Sequence, residues 1–109
     1  MTRLVILESP YAGDVEANVA YARACLLDSL ARRGEAPIAS HLLYTQVLDD
    51  TDPDERAQGI AAGLAWRTVP GVLPVFYTDR GWSRGMLAAR DTCDREGIAY
   101  ETRSIGWGS

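Results

Sequence analysis

Arg3-Leu-Val-Ile-Leu7 runs into Glu8-Ser-Pro-Tyr-Ala-Gly13 and then into a helical stripe of Val15, Val19, Ala22, Leu26 and Leu30. This stretch decides the fold. A short, unbroken apolar run suits a strand covered on both faces. The turn residues stop the strand, and Asp14 then offers a helix cap, with Glu16 in the first turn. Arg32, Arg33 and Gly34 close the helix near residue 33, with positive charge on the last carbonyls and then a glycine. A buried strand passing directly into a long amphipathic helix is the opening half of a βαβ unit.

Working outward, the same alternation repeats. Residues 36–40 form a weak second strand, and His41-Leu-Leu-Tyr-Thr-Gln46 is a short helix or an ordered loop. After the acidic turn of residues 49–55, Asp52 as cap, Pro53 in the first position and Glu55 three residues after the cap start a helix that runs to about Thr68. Its core stripe is expected to be Ala57, Ile60, Ala61 and Leu64. Gly71 to Thr78 is the next strong strand. Ser83 caps a helix that reaches about Glu96 and stops at Gly97, and Ile98 to Arg103 forms a last strand. The order predicts a single α/β domain spanning residues 1–109: an open parallel sheet of about four strands with helices on both faces.

Composition narrows the function. The chain has 109 residues, 47% hydrophobic and 24% charged, with a net charge of −4. Its 15 acids outnumber 11 bases, all arginine, which argues against non-specific nucleic-acid binding. No apolar run approaches the roughly 20 residues of a membrane span. Met1 leads straight into the first strand with no secretory pattern, so a cytoplasmic protein with reduced Cys25 and Cys93 is expected. His41 has no second histidine and no cysteine nearby, which argues against zinc. Neither a metal nor a cofactor is implied.

In such a sheet ligands bind beyond the carboxyl ends of the strands, where strand order reverses. The loops 8–14 and 79–85 converge there if the first and third strands are neighbours. Ser83, Arg84 and Gly85 open a helix, whose free amides, hydroxyl and guanidinium together outline a phosphate cradle. The same residues also fit an ordinary serine cap. Asp79 ends the third strand and is placed to accept from ribose hydroxyls, or to form a turn. Tyr11 and Trp82 can line or stack on a base, or Trp82 can cover the core. Glu8 can act as acid or base, or pair with Arg84 or Arg80. Ser9 and Gly13 complete the first loop. His41 can reach the crevice from the second strand end, or serve as a hydrogen-bonded structural residue. Gly59, Gly63 and Trp66 share one face of the 53–68 helix, expected either to pack on the protein's own sheet or to meet a second copy; a homodimer is the favoured reading.

Ile6-Leu-Glu-Ser-Pro-Tyr-Ala-Gly13, the long helix after it, and Asp79 with Ser83-Arg-Gly85 resemble the nucleoside 2-deoxyribosyltransferase-like superfamily, most closely its small bacterial and phage members. The resemblance covers nearly the whole chain. It implies a flavodoxin-like sheet, a crevice for nucleosides or nucleoside 5′-phosphates, and, in active relatives, cleavage or exchange of the N-glycosidic bond, often by dimers. On that basis Tyr11 matches the tyrosine near the sugar, Asp79 a polar position after the later strand, and Ser83 and Gly85 the phosphate-binding serine and glycine. The glutamate nucleophile of active relatives falls at Ala89. The expectation is therefore a nucleotide-binding module that senses or sequesters its ligand, for example an ADP-ribose-type signal. One alternative is an N-glycoside hydrolase or deoxyribosyltransferase acting on nucleoside 5′-monophosphates through Glu8, Tyr11 and Asp79. Another is a structural partner-binding domain.

Overall fold

The computed structural model describes residues 2–108, so Met1 and Ser109, the ends of the expected domain, lie outside the described residues. Four strands, β1 (Leu4–Glu8), β2 (Ala36–Ile38), β3 (Val72–Tyr77) and β4 (Glu101–Arg103), form one all-parallel sheet in the order β2-β1-β3-β4. The helices are α1 (Val15–Leu27), α2 (Ser40–Leu43), α3 (Pro53–Ala65) and α4 (Arg84–Glu96). The chain is thus a small open α/β sheet of the expected class. No described helix is long and apolar enough to cross a membrane.

The two inner strands are apolar apart from Glu8 at the end of β1, because both their faces are covered along most of their length. Val5, Leu7, Leu73, Val75 and Tyr77 form one cluster with Tyr21 and Cys25 of α1, while Phe76 faces the other way onto Met86 and Ala89 of α4. Strand alternation alone produces this division. The ladder to β4 starts at Val75, one residue past Pro74, which has no N–H to contribute. Both outer strands are three residues long.

Each helix start follows its cap. The Asp14 carboxylate accepts from Ala17 N, Asp52 from Asp54 N and Glu55 N, and Ser83 Oγ from Met86 N. Gly97 adopts φ +67° and ends α4, and Ile98 N turns back to Cys93 O. That amide is therefore unavailable to the sheet, and β4 begins at Glu101 rather than at Ile98. α1 does not stay α-helical to Arg33: Asp28–Arg32 form one wider π turn, with Arg33 N donating to Asp28 O.

Two apolar stripes differ from expectation. On α1 the buried line is Asn18, Tyr21, Ala22 and Cys25, whereas Val15 and Leu30 are exposed. On α3, Ala57, Ile60 and Ala61 face outward and Gly59 and Gly63 face inward, against α2 and the residues after it. A β-carbon on Gly63 would stand 2.6 Å from Ser40 Oγ, and one on Gly59 3.3 Å from Leu48 Cδ1. Close helix approach, rather than apolar bulk, selects the inner face. The same chain thus accounts for these glycines without a second copy. Trp66 is 41% exposed and donates its indole N–H to Tyr44 Oη at 2.9 Å.

A buried ionic cluster joins four elements. Arg103 donates to Glu35 Oε1 and Oε2 at 2.7 and 2.9 Å and to Tyr77 Oη at 3.3 Å; Tyr77 donates to Asp28, and Ser29 to Glu35. The bonds from Arg103 hold the Glu35 carboxyl below its usual range.

Candidate functional site

The strand order reverses between β1 and β3, and a cavity of about 510 Å³ opens beside the end of β1. That volume suits a small-molecule ligand. Its wall is assembled from five segments: Glu8 at the end of β1 with Ser9, Tyr11 and Gly13 after it; His41 and Tyr44 from the α2 region; Arg56, Gly59 and Gly63 on α3; Arg67 just after α3; and Ser83, Arg84, Gly85 and Ala89 on α4 and its cap.

At α4 the cap geometry leaves room for a ligand. Ser83 Oγ accepts from Met86 N at 3.2 Å and keeps its own proton free to donate. The amides of Arg84 and Gly85 find no acceptor among the described residues, as expected for the first turn of a helix. A β-carbon on Gly85 would meet only Ser83 Oγ, at 3.9 Å, so this side of the backbone is open. Free amides at the positive end of a helix dipole are suited to an anion.

The opposite chemistry gathers after β1. Glu8 accepts a hydrogen bond and ion pair from Arg67 Nη2, and neither Arg84 nor Arg80 is its partner. Burial pushes the Glu8 carboxyl up to about 7, with Arg67 opposing the shift. Next to it, Ser9 Oγ and His41 Nε2 share a hydrogen bond of 2.7 Å, and burial lowers His41 to about 4, so the imidazole is neutral at physiological pH.

Eight of the expected site residues line this one cavity: Glu8, Ser9, Tyr11, Gly13, His41, Ser83, Arg84 and Gly85. Asp79 and Trp82 do not. Asp79 instead clamps the segment of residues 104–107. Its carboxylate accepts from Tyr21 Oη (2.6 Å), Ser104 Oγ (2.6 Å) and the amides of Ile105, Gly106 and Trp107. Burial alone would raise its pKa, but these bonds outweigh it and hold the carboxyl below its ordinary range. Both oxygens of Asp79 are engaged within the chain, and the residue does not line the cavity. Trp82 packs on Phe76 at 5.1 Å between ring centroids, and Arg90 lies 4.5 Å above it. It covers the core at Phe76.

Arg67, Arg56 and Tyr44 line the cavity without having been expected there. Arg67 follows a helix end, where a cation reads as a solvated partner for the last carbonyls; nothing local marks it as buried. Asn18 also supports the site from outside, donating to the carbonyls of Tyr11 and Ala12 and accepting from Arg80 Nε.

The family model described as a domain of unknown function, DUF7768, matches residues 3–103, and the chain belongs to that family. No curated protein and no solved structure gives a significant match.

Proposed function

We propose that this DUF7768 domain binds a nucleotide-type small molecule in the cavity beside β1 and β3, with the phosphate seated at the start of α4. The observation that carries the reading is that the free first-turn amides of α4, Arg84 and Tyr11 open into one hollow at the point where strand order reverses. Arg84 adds a charge-assisted fork to the amides. Ala89 occupies the wall position where the deoxyribosyltransferase resemblance implies a nucleophile, and it has no carboxylate to attack an anomeric carbon. Binding without turnover, as in a sensor or sequestering protein, is the function favoured.

Calorimetry with a panel of nucleoside 5′-monophosphates and ADP-ribose tests this. Arg84→Ala is expected to weaken binding about tenfold or more. Folded protein that gives no heat with any anionic nucleotide would overturn the proposal.

Glu8 supports a second reading. A carboxyl in the cavity wall raised to about 7 has the pKa of a general acid or base. In that reading the chain hydrolyses the N-glycosidic bond of nucleoside monophosphates. Release of free base, lost in Glu8→Gln with folding intact, distinguishes it from binding alone.

A further inference from the structure

Among the described residues, only three buried side-chain nitrogens lack a hydrogen-bond partner: Arg67 Nε, Arg67 Nη1 and His41 Nδ1. Both residues belong to the wall of the same cavity, and both sit beside consecutive residues of the chain, Arg67 on Glu8 and His41 on Ser9. Buried polar groups are almost always satisfied, so three orphans gathered at one hollow indicate a ligand that satisfies them. The Arg67 side chain is 3% exposed, and Glu8 is its hydrogen-bond and ion-pair partner. Its remaining N–H groups are donors only, and they require acceptors. If the Ser9 hydroxyl donates to His41 Nε2, the neutral ring carries its proton on Nδ1 and supplies one donor more.

We infer that Arg67 and His41 form a second subsite in this cavity, for an oxyanion, and that Glu8 takes up a proton when the oxyanion binds. The inference extends the ligand-binding reading above and rests on the same cavity, but it uses different atoms from the start of α4. The charge balance sets the proton step. In its ionised form Glu8 cancels Arg67; an arriving oxyanion adds a negative charge beside Glu8, and a proton from solvent on that carboxylate restores neutrality. Cys93 on α4 feels both Glu8 and Arg67, and His41 lies beyond Ser9 on α2; the other titratable or charged groups in the cavity wall are Tyr11, Tyr44, Asp50, Glu55, Arg56 and Arg84. The Cys93 thiol is raised by burial and stays protonated. Glu8 is therefore the group that responds.

Proton–nitrogen NMR spectra read the two subsites separately, with the side-chain Nε–H of Arg67 for one and the backbone amide of Gly85 for the other. Sulfate and acetate serve as probes in parallel, because both keep a constant charge from about pH 6 to about pH 8 and together distinguish a phosphoryl-like from a carboxylate occupant. The expected result is a saturable shift of the Arg67 signal with at least one probe, and an affinity about tenfold weaker at the upper pH than at the lower. In Glu8→Gln that pH dependence disappears. A paired Glu8→Gln/Arg67→Met variant, which strands no buried charge, removes the signal and so assigns it. A shift at Gly85 with Arg67 silent overturns the second subsite and leaves the α4 reading standing. A shift at Arg67 with Gly85 silent does the reverse. Silence at both overturns both, and an Arg67 shift that does not depend on pH overturns the proton step.

Discussion

Arg103→Met breaks the buried ionic cluster at its centre. In the folded chain Arg103 is 4% exposed at its side chain and Glu35 9%, and the guanidinium supplies both oxygens of Glu35 with donors. Methionine fills much of the volume but leaves Glu35 with Ser29 as its remaining donor. Removing one member of a buried pair typically costs about 3–5 kcal/mol. Against a total stability of about 5–15 kcal/mol for a domain, that is a large fraction, and it corresponds to a fall in Tm of about 10–20 °C at this chain length. Urea unfolding at pH 7 should show the midpoint falling with the slope unchanged. The pH dependence separates charge from packing. Hydrogen bonds from Arg103 hold Glu35 below its ordinary value of 4.5, so its contribution is present above that pH and is lost as pH falls. The deficit of the variant should therefore be full at neutral pH and narrow in acid. Adding Glu35→Gln should recover about 2 kcal/mol, since it removes the stranded charge. A loss under about 1 kcal/mol at pH 7, or one of equal size in acid, would refute the assignment of this cluster as a tightly coupled ion pair.

Gly63→Ala should destabilise by about 1–2 kcal/mol despite the better helix propensity of alanine, because its β-carbon would lie 2.6 Å from Ser40 Oγ; Ser40→Ala should restore most of the loss in a urea melt. Glu8 and His41 have opposing effects on stability against pH. The raised Glu8 contributes below its unfolded value of 4.5 and loses that contribution as pH rises through about 7, while the lowered His41 contributes above 6.5 and loses it as pH falls toward about 4. Each limb amounts to roughly 3 kcal/mol, so Glu8→Gln should make stability climb between pH 4.5 and 6.5, and His41→Asn should make it decline; urea midpoints in both variants that keep the wild-type slope would disprove this opposition. Asp79→Ala should release residues 105–107 from their acceptor, read as faster amide exchange at Ile105 and Trp107 with the exchange of β1 and β3 unchanged.

What the sequence made legible was local. The apolar run of β1, the caps at Asp14, Asp52 and Ser83, and the stop at Gly97 each depend on a few neighbouring residues, and each is found within a residue or two of its expected place. The loops after β1 and before α4 meet because parallel topology brings them together. The errors come from distant partners. Asp79 looks like a site acid until the donors of residues 104–107, some 25 positions later, claim both its oxygens. Glu8 faces two plausible arginines in the neighbouring loop, yet pairs with Arg67, 59 positions away. On α3 the apolar stripe and the glycine stripe compete for the inside, and the outcome rests on how near α2 comes, which is a tertiary fact.

The sheet's outer strands carry a consequence for how the protein behaves in company. Each is three residues long; β2 reads Ala-Pro-Ile, in which the proline has no N–H to offer, and β4 carries the partly exposed Glu101. A foreign strand seeking to extend the sheet would find too few free amides to nucleate on. Fibrillar growth from the borders of the native molecule is thereby starved of a template by brevity, and the long, greasy strands that would make good templates are sealed in the middle.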